Sequence, residues 1–249
     1  MLLQPLLDQL SQLHLPAFRA ALQEQLQTPQ YAGLPFEERL ALLVERECTH
    51  RENNRMQRCL KAAHLPCQAT LEDLEFAPAR GLDRSLVLEL AQAHWVRSHL
   101  NAIVLGPTGA GKTFLATALA HAACRLGYSV RYHRTSRLLY ELTLAQADGS
   151  YPKALAALSR IQLLVLDDWL RDPLTRVQTQ DLLEILDDRC GRSATLLVTQ
   201  IPVEDWHVRL PDPTLADAIL DRLVHNAHRL QLKGESQRKL RSTLPLPAA

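Results

Sequence analysis

Residues 106–113 have the types and spacing needed to bind phosphate. They read Gly-Pro-Thr-Gly-Ala-Gly-Lys-Thr and match the GxxxxGK[ST] pattern at every specified position. Glycines let the backbone wrap closely around an anion, so that successive N–H groups and the start of a following helix face it. We expect a nucleoside triphosphate site, in which Lys112 reaches the β- and γ-phosphates and the Thr113 hydroxyl ligates Mg²⁺. The candidate phosphate contacts are Gly106, Pro107, Thr108, Gly109, Ala110, Gly111, Lys112 and Thr113.

Two adjacent carboxylates form the second candidate site. Asp167 and Asp168 follow an apolar run at residues 161–166, which predicts a buried strand ending in both acids. We expect Asp167 to orient water on Mg²⁺ and Asp168 to polarise the attacking water. The alternative interpretation is an acid that caps the start of a helix.

A third polar position is expected at the end of residues 195–199, a further predicted strand. In ATPases with an extra strand between the two strands that carry the phosphate motifs, a polar side chain at its end reaches the γ-phosphate or the lytic water. Gln200 is favoured for this role over Thr199. The alternative is a strand that ends in a polar turn before Pro202.

These groups must be positioned by the elements around them. An apolar run at residues 102–105 precedes the glycine loop and predicts a strand, and an Ala- and Leu-rich stretch at 114–126 predicts a helix. Without this context the loop could be a glycine-rich turn before an ordinary helix. Strands and helices alternate from residue 101 onward, which predicts an α/β fold with a parallel sheet and helices on both faces.

The chain is predicted to have three parts. Residues 1–68 are expected to form a helical N-terminal domain, because leucines recur there at helical spacing and Pro35 opens a further helix. Residues 69–82 have little periodicity and are predicted to be a linker. Residues 83–249 are expected to form the ATPase domain, beginning with a helix over 83–98 capped by Asp83.

The N-terminal part carries a basic stripe. Arg51, Arg55 and Arg58 fall at i, i+4 and i+7, with Lys61 close to the same line, so a helix would present all four on one face. We expect this stripe to contact DNA phosphates. The alternative is a solvated helix face on which Glu47 and Glu52 are the local partners.

Composition favours a globular protein of the cytoplasm. The 249 residues carry a formal net charge of +1, and no apolar run approaches the roughly 18 residues that span a bilayer. The N-terminus lacks the basic and apolar regions of a secretion signal. The Cys and His residues of 48–67 could suggest a zinc site, but their spacing fits no compact zinc finger. We therefore expect reduced cysteines that bind no metal. The residues concerned are Cys48, His50, Cys59, His64 and Cys67.

With these motifs in place, the chain resembles the IstB-type transposition helper ATPases of the AAA+ group, close to the DnaC-type helicase loaders. The resemblance covers essentially the whole chain, including Leu-Pro-Phe-Glu-Glu-Arg-Leu at 34–40. It rests on the loop and the Asp-Asp strand, on Val-Thr-Gln-Ile-Pro-Val-Glu-Asp-Trp at 198–206, and on Ala-Ile-Leu-Asp-Arg-Leu at 218–223. The most specific part continues to His-Arg-Leu-Gln-Leu-Lys-Gly-Glu-Ser-Gln-Arg-Lys at 228–239.

The resemblance implies two further site residues. Arg222 would be an arginine finger that reaches the ATP site of a neighbouring subunit, which implies a homo-oligomer with ATP sites between subunits. Arg238 would contact the γ-phosphate within its own subunit. Their alternatives are an Arg222 paired with Asp217 or Asp221 on a helix surface, and an Arg238 in a frayed tail.

The chain also departs from the wider group at two points. Asp168 stands where strong ATPases of that group have Glu, so hydrolysis is expected to be slow or to need activation. We expect no full C-terminal helical lid after Arg238, a feature that the resemblance gives as characteristic of this subfamily.

The resemblance implies an ATP- and Mg²⁺-dependent, DNA-binding ATPase that assembles on target duplex DNA and recruits a cognate transposase. A replicative helicase loader of the DnaC type shares every catalytic residue and remains the alternative. It would grip a helicase ring with its N-terminal domain and bind single-stranded DNA. A metabolic kinase with a phosphate loop is disfavoured, because the sequence offers no acceptor-substrate site.

Overall fold

The computed structural model describes residues 3–76 and 80–234, so Arg238 lies outside the described residues. By their internal contacts the residues form two compact units, one up to Arg58 and one from Cys59 onward. The division falls inside a helix and earlier than the predicted boundary at residue 68. It falls there because Cys59, Leu60 and Ala63, at the end of that helix, already pack in the core of the second unit.

The first unit is helical. Its elements are α1 (Leu3–Gln12), α2 (Pro16–Gln27), a 3-10 turn (Pro29–Tyr31) and the beginning of α3 (Phe36–Ala63). A buried carboxylate ties two of these helices together. Glu47 of α3 accepts hydrogen bonds from the N–H groups of Ala17 and Phe18 in the first turn of α2, both at 3.0 Å.

The second unit is built on a five-stranded parallel sheet. The strands are β1 (Asn101–Leu105), β2 (Val130–Arg134), β3 (Leu163–Asp167), β4 (Ala194–Thr199) and β5 (Ala227–Gln231), in the order β2-β3-β4-β1-β5. The sequence predicted the first four, whereas β5 was not predicted. As expected from the motifs, β4 lies between the strand before the glycine loop and the strand that ends in Asp167.

Helices cover both faces of this sheet, which confirms the predicted fold class. On one face Val104, Val165 and Val198 pack with α4 (Arg84–Ala91), α5 (His94–Arg97) and α6 (Lys112–Arg125). On the other face Ile103, Leu166 and Leu197 pack with the remaining helices. These are α7 (Thr135–Asp148), α8 (Tyr151–Ser159), α9 (Arg176–Arg189), α10 (Trp206–Arg209) and α11 (Pro213–Val224), with a 3-10 turn (Val203–Asp205) before α10.

The single helix predicted over residues 83–98 is wrong, although its cap is confirmed. The Asp83 carboxylate accepts from the N–H groups of Ser85 and Leu86, but the helix breaks at Ala93, whose φ is +53°. The buried indole of Trp95 donates to the carbonyl of Leu90 at 2.9 Å. This contact pulls Trp95 into the core and fixes the break between α4 and α5.

Every described helix is too short or too polar to cross a membrane. Nor do the described ranges bring together three or more His, Cys, Asp or Glu side chains that could hold a metal ion.

Candidate nucleotide site

The glycine loop lies between β1 and α6, at the carboxyl edge of the sheet. Gly111 has a φ of +94° and caps the N-terminus of α6, which begins at Lys112. At Gly106, lack of space excludes any larger residue, because a Cβ atom there would lie 2.7 Å from the carbonyl oxygen of Leu232. The segment after β5 contacts the residue just before the loop, because Leu232 N–H donates to the Leu105 carbonyl at 2.7 Å. Backbone packing therefore determines where the loop begins.

Asp167 faces the hydroxyl group at the start of α6. Its Oδ2 atom accepts from Thr113 Oγ1 at 2.8 Å and from Tyr132 Oη at 2.7 Å, and its Oδ1 atom accepts from Asp168 N at 2.7 Å. Thr135 Oγ1 also donates to the Asp167 carbonyl at 3.0 Å. The side chain is buried at 4% exposure. The carboxylate thus has a single orientation, toward the hydroxyl at the start of α6.

Asp168 sits on a sharp turn immediately after β3. Its φ of +56° is in the left-handed region, which is uncommon for residues other than glycine. Its Oδ2 atom accepts from a guanidinium nitrogen of Arg171 at 2.7 Å, and Arg171 also pairs with Asp172 at 2.8 Å. The candidate water-activating carboxylate is thus held by an ion pair within its own chain.

The two candidates at the end of β4 are in different environments. Thr199 is buried, and its hydroxyl donates to the Trp169 carbonyl at 2.8 Å and accepts from Ile201 N at 3.0 Å. Gln200 is exposed, and its Oε1 atom accepts from Thr108 Oγ1 in the glycine loop at 2.6 Å. Only Gln200 presents its side chain to the loop.

A cavity adjoins the loop on the side of α6. Its volume is about 530 Å³, and loop residues line it together with Arg134 and with residues from the segment after α3. The lining residues outside the loop are Pro66, Cys67, Asp73, Arg80, Phe114 and Arg134. The segment predicted to be a linker thus contributes one wall of the cavity.

Arg80 links that segment to the loop. It is 8% exposed and donates to the carbonyls of Ala110 and Glu75, at 3.1 and 2.8 Å. Its nearest guanidinium nitrogen would lie 2.7 Å from a Cβ atom on Gly111, so the loop needs glycine there for space as well as for backbone conformation. Its Nε atom is buried without a hydrogen-bond partner among the described residues.

Arg222 lies at the opposite edge of the sheet. The Asn101 amide, at the amino end of β1, donates to the Arg222 carbonyl at 2.9 Å, whereas the glycine loop follows the carboxyl end of β1. The Arg222 guanidinium forms an ion pair with Asp187 of α9 and donates to the Ala218 carbonyl. Its partner is therefore neither Asp217 nor Asp221.

The basic stripe lies on α3, as the sequence predicts, but Arg51 and Arg58 have partners. Arg51 pairs with Glu47 at 2.8 Å and donates to the His14 carbonyl at 3.0 Å. Arg58 donates to the Asn54 carbonyl at 3.2 Å. Burial raises the pKa of Glu47, but the hydrogen bonds from Arg51, Phe18 and Ala17 together outweigh that effect. The pKa of Glu47 is therefore below its ordinary value. Arg51 thus has a structural role within the first unit.

Four residues of the site escaped the sequence reasoning: Tyr132, Arg80, Arg134 and Arg171. Strand periodicity could have indicated Tyr132 and Arg134, because side chains two residues apart on a strand share a face. In the structure, the sheet register pairs Arg134 with Asp167. Arg80 and Arg171 lie in irregular segments, where no periodicity indicates a direction.

The residues present fit a magnesium nucleotide. Mg²⁺ prefers oxygen ligands, and the Thr113 hydroxyl and Asp167 carboxylate already lie 2.8 Å apart at the start of α6. Lys112 Nζ lies against the loop itself, donating to the Pro107 carbonyl at 3.0 Å. The loop glycines and the helix start provide the cradle for phosphate.

Comparison with known proteins agrees with this geometry. The sequence profile of the family described as IstB-like ATP binding protein matches residues 8–244. A Sinorhizobium fredii protein, named as an insertion sequence ATP-binding protein, is 45% identical over 239 residues, covering 96% of this chain and 98% of the relative. A Pseudomonas fluorescens protein, named as the ATP-binding protein of insertion sequence IS1162, is 44% identical over 203 residues, covering 81% and 88%.

Solved structures share the fold at lower sequence identity. DnaI is 20% identical with a TM-score of 0.58, over 67% of this chain and 92% of that one. The DnaC helicase loader is 19% identical with a TM-score of 0.53, over 71% and 99%. The profile match and the two bacterial relatives extend well beyond the phosphate motifs, and the chain therefore belongs to the IstB-like ATP-binding protein family.

Proposed function

We propose that this protein is an ATPase that assists DNA transposition by assembling on target duplex DNA and engaging its transposase. The observation that carries the proposal is the 2.8 Å contact between the Thr113 hydroxyl and the Asp167 carboxylate at the start of α6, in a chain of this family. The relatives are named as ATP-binding proteins of insertion sequences, which supports the link to transposition.

The side chains divide the work of hydrolysis. Lys112 leaves the Pro107 carbonyl for the β- and γ-phosphates, and Asp168 polarises the attacking water once Arg171 releases it. Gln200, already beside Thr108, is placed to position that water or the γ-phosphate. Thr113 and Asp167 would hold Mg²⁺, which supplies charge neutralisation on the phosphates.

The position of Arg222 supports action between subunits. β1 spans five residues, so the loop begins about 16 Å from Asn101 at about 3.3 Å per residue. An arginine side chain anchored at the amino end of the sheet does not reach the phosphates of its own subunit. As a finger it would have to serve the ATP of a neighbour, so we infer a homo-oligomer.

ATP-dependent assembly on DNA tests the proposal. The protein would be sedimented with long duplex or single-stranded DNA, with and without a non-hydrolysable ATP analogue. We expect large assemblies on duplex that need the nucleotide. Preference for single strands would favour a helicase loader, and absence of any nucleotide-dependent assembly would reject the DNA-assembly role.

Substitution of Lys112 separates nucleotide binding from the rest of the mechanism. Lys112→Ala should weaken binding of a fluorescent ATP analogue, because the charge that faces the phosphates is lost. Normal affinity would show that the loop is not the nucleotide site.

A further inference from the structure

A second cavity lies along the outer edge of the sheet. It has a volume of about 720 Å³ and follows β2, the edge strand, into the first turns of α7. We call it the β2 groove, lined by His64, Pro66, Arg131, Tyr132, His133, Arg134, Ser136, Arg137, Tyr140 and Glu141. Of the candidate ligands considered from the sequence, His64 lines this groove.

The β2 groove has a surplus of positive charge. Three guanidinium groups, of Arg131, Arg134 and Arg137, face a single carboxylate, Glu141. Glu141 lies 3.1 Å from Arg137 and 3.7 Å from His133, while Arg131 forms no ion pair within the described ranges. Burial lowers the pKa of His133, and Arg131, His64 and Arg137 lower it further against the opposing effect of Glu141. At neutral pH the surplus is therefore carried by the arginines.

The chemistry of the lining favours phosphodiesters over an apolar ligand. Arginine forks match phosphate oxygens in charge and geometry, and the Ser136 hydroxyl adds a donor. Tyr140 is 64% exposed, so its hydroxyl is available at the surface as a further donor. Arginine, serine and tyrosine side chains are among the groups that hydrogen-bond DNA phosphates.

The β2 groove also adjoins the nucleotide site. Arg134 lines both this groove and the cavity beside the glycine loop. Tyr132, two residues earlier on β2, also lines the groove, and its hydroxyl donates to Asp167. A polyanion in the groove would therefore lie next to the residues that orient the candidate magnesium ligand.

We propose that the β2 groove binds the phosphate backbone of target duplex DNA. This deepens the proposed function and rests on it. Arg131 of the groove forms no ion pair within the described ranges, whereas Arg51 of the α3 stripe is paired with the buried Glu47. The principal DNA contact then belongs to the second unit, next to the ATP site.

The salt dependence of DNA binding tests the groove directly. Fluorescence anisotropy would follow a labelled duplex, with a non-hydrolysable ATP analogue, across a series of salt concentrations. Removing two phosphate contacts with Arg131→Gln/Arg137→Gln should reduce the slope of log K against log salt by about two. Binding of a fluorescent ATP analogue should be unchanged.

A matched variant controls for the loss of charge. Arg160→Gln/Arg192→Gln removes the same charge from two exposed arginines that do not line the groove, and it should leave the slope unchanged. Arg131→Lys/Arg137→Lys should restore most of the slope, because the charges return without the arginine fork. Thermal unfolding of each variant would verify the fold.

Three outcomes would overturn the groove as the DNA site: an unchanged slope in the Gln pair, an equal loss in the control pair, or failure of the Lys pair to restore the slope. In each of these cases the wild-type protein still binds duplex, so the proposed function stands. If the wild-type protein binds no duplex with nucleotide, both proposals fail together.

Discussion

At the scale of single residues, the candidate water-activating group is held back by a neighbour. Asp168 is paired with Arg171 at 2.7 Å, and a carboxylate in an ion pair is a poorer acceptor for a water proton. Its side chain is also one methylene shorter than the Glu common in strong ATPases. Both features favour slow basal hydrolysis.

Arg171→Ala should therefore raise basal ATP turnover several-fold, because Asp168 becomes available to the attacking water. Steady-state phosphate release without DNA would measure it. Asp168→Asn is the reference, since it should retain nucleotide binding and lose turnover in either background. A drop in turnover in Arg171→Ala would mean that the ion pair positions Asp168 rather than restraining it.

Tyr132 has a supporting role toward the metal site. Burial raises the pKa of its phenol, as do the hydrogen bond to Asp167 and the negative charge there, so at neutral pH Tyr132 is the protonated donor. Partners of this kind orient a metal ligand, and their loss typically weakens metal binding by 10- to 100-fold.

We expect Tyr132→Phe to increase the Mg²⁺ concentration needed for half-maximal ATP turnover by about 10-fold. A magnesium titration at saturating ATP would show this, with turnover at high Mg²⁺ close to wild type. If the titration curve does not move, the hydrogen bond serves only folding.

At the scale of elements, a buried arginine joins α8, α9 and β4. Arg189 is 1% exposed and donates to the carbonyls of Leu158 and Ile161, each at 2.7 Å, and to that of Ala194. Burial lowers its pKa to about 10, which still leaves the guanidinium charged at neutral pH. The charge is balanced by carbonyl dipoles in place of a carboxylate.

Arg189→Leu should lower the free energy of unfolding by roughly 2–4 kcal/mol, because these carbonyls lose their donor inside the protein. Urea denaturation of the full chain would measure the change. Arg192→Leu, at an exposed position three residues later, is the matched control and should stay near wild type. Equal stability of the two variants would contradict the assigned role.

The sequence predicted those elements whose patterns are local. β3 and β4 are buried throughout and carry short apolar runs, and Thr175 caps α9 through a capping box with Gln178. β5 escaped because only Leu230 among its five residues is buried, and its strand form depends on parallel pairing with β1. The pairing of Arg222 with Asp187 likewise joins positions far apart in sequence, which no spacing rule indicates.

At the scale of the whole molecule, a net charge near zero coexists with an uneven distribution of charge along the sheet edge. The formal charge of +1 says nothing of the three arginines that follow one edge of the sheet. The glycine loop could be recognised in the sequence because its residues share one short segment. The β2 groove could not, because the fold assembles it from His64, β2 and α7.

Subunit mixing tests the proposed sharing of ATP sites. Lys112→Ala and Arg222→Ala should each lose most turnover, the second by roughly 10³-fold with nucleotide affinity retained. Mixed in equal amounts, they should recover about a quarter of the wild-type rate, the fraction of interfaces that combine an intact loop with an intact finger. A mixture that recovers no activity would argue against action between subunits.

The control for this experiment is a mixture of Lys112→Ala with Lys112→Ala/Arg222→Ala. Every loop in that mixture is defective, so no recovery is expected. Recovery there would point to contaminating ATPase.

Asn101 has a consequence for timing within such an assembly. Its side chain donates to the Arg222 carbonyl and accepts from Thr195 N–H at 3.0 Å, while its own strand runs directly into the glycine loop. A displacement of the finger by a neighbour's phosphate would therefore be transmitted along β1 to the subunit's own loop. In the proposed oligomer, contact of Arg222 with a neighbour would then influence the nucleotide loop of its own subunit.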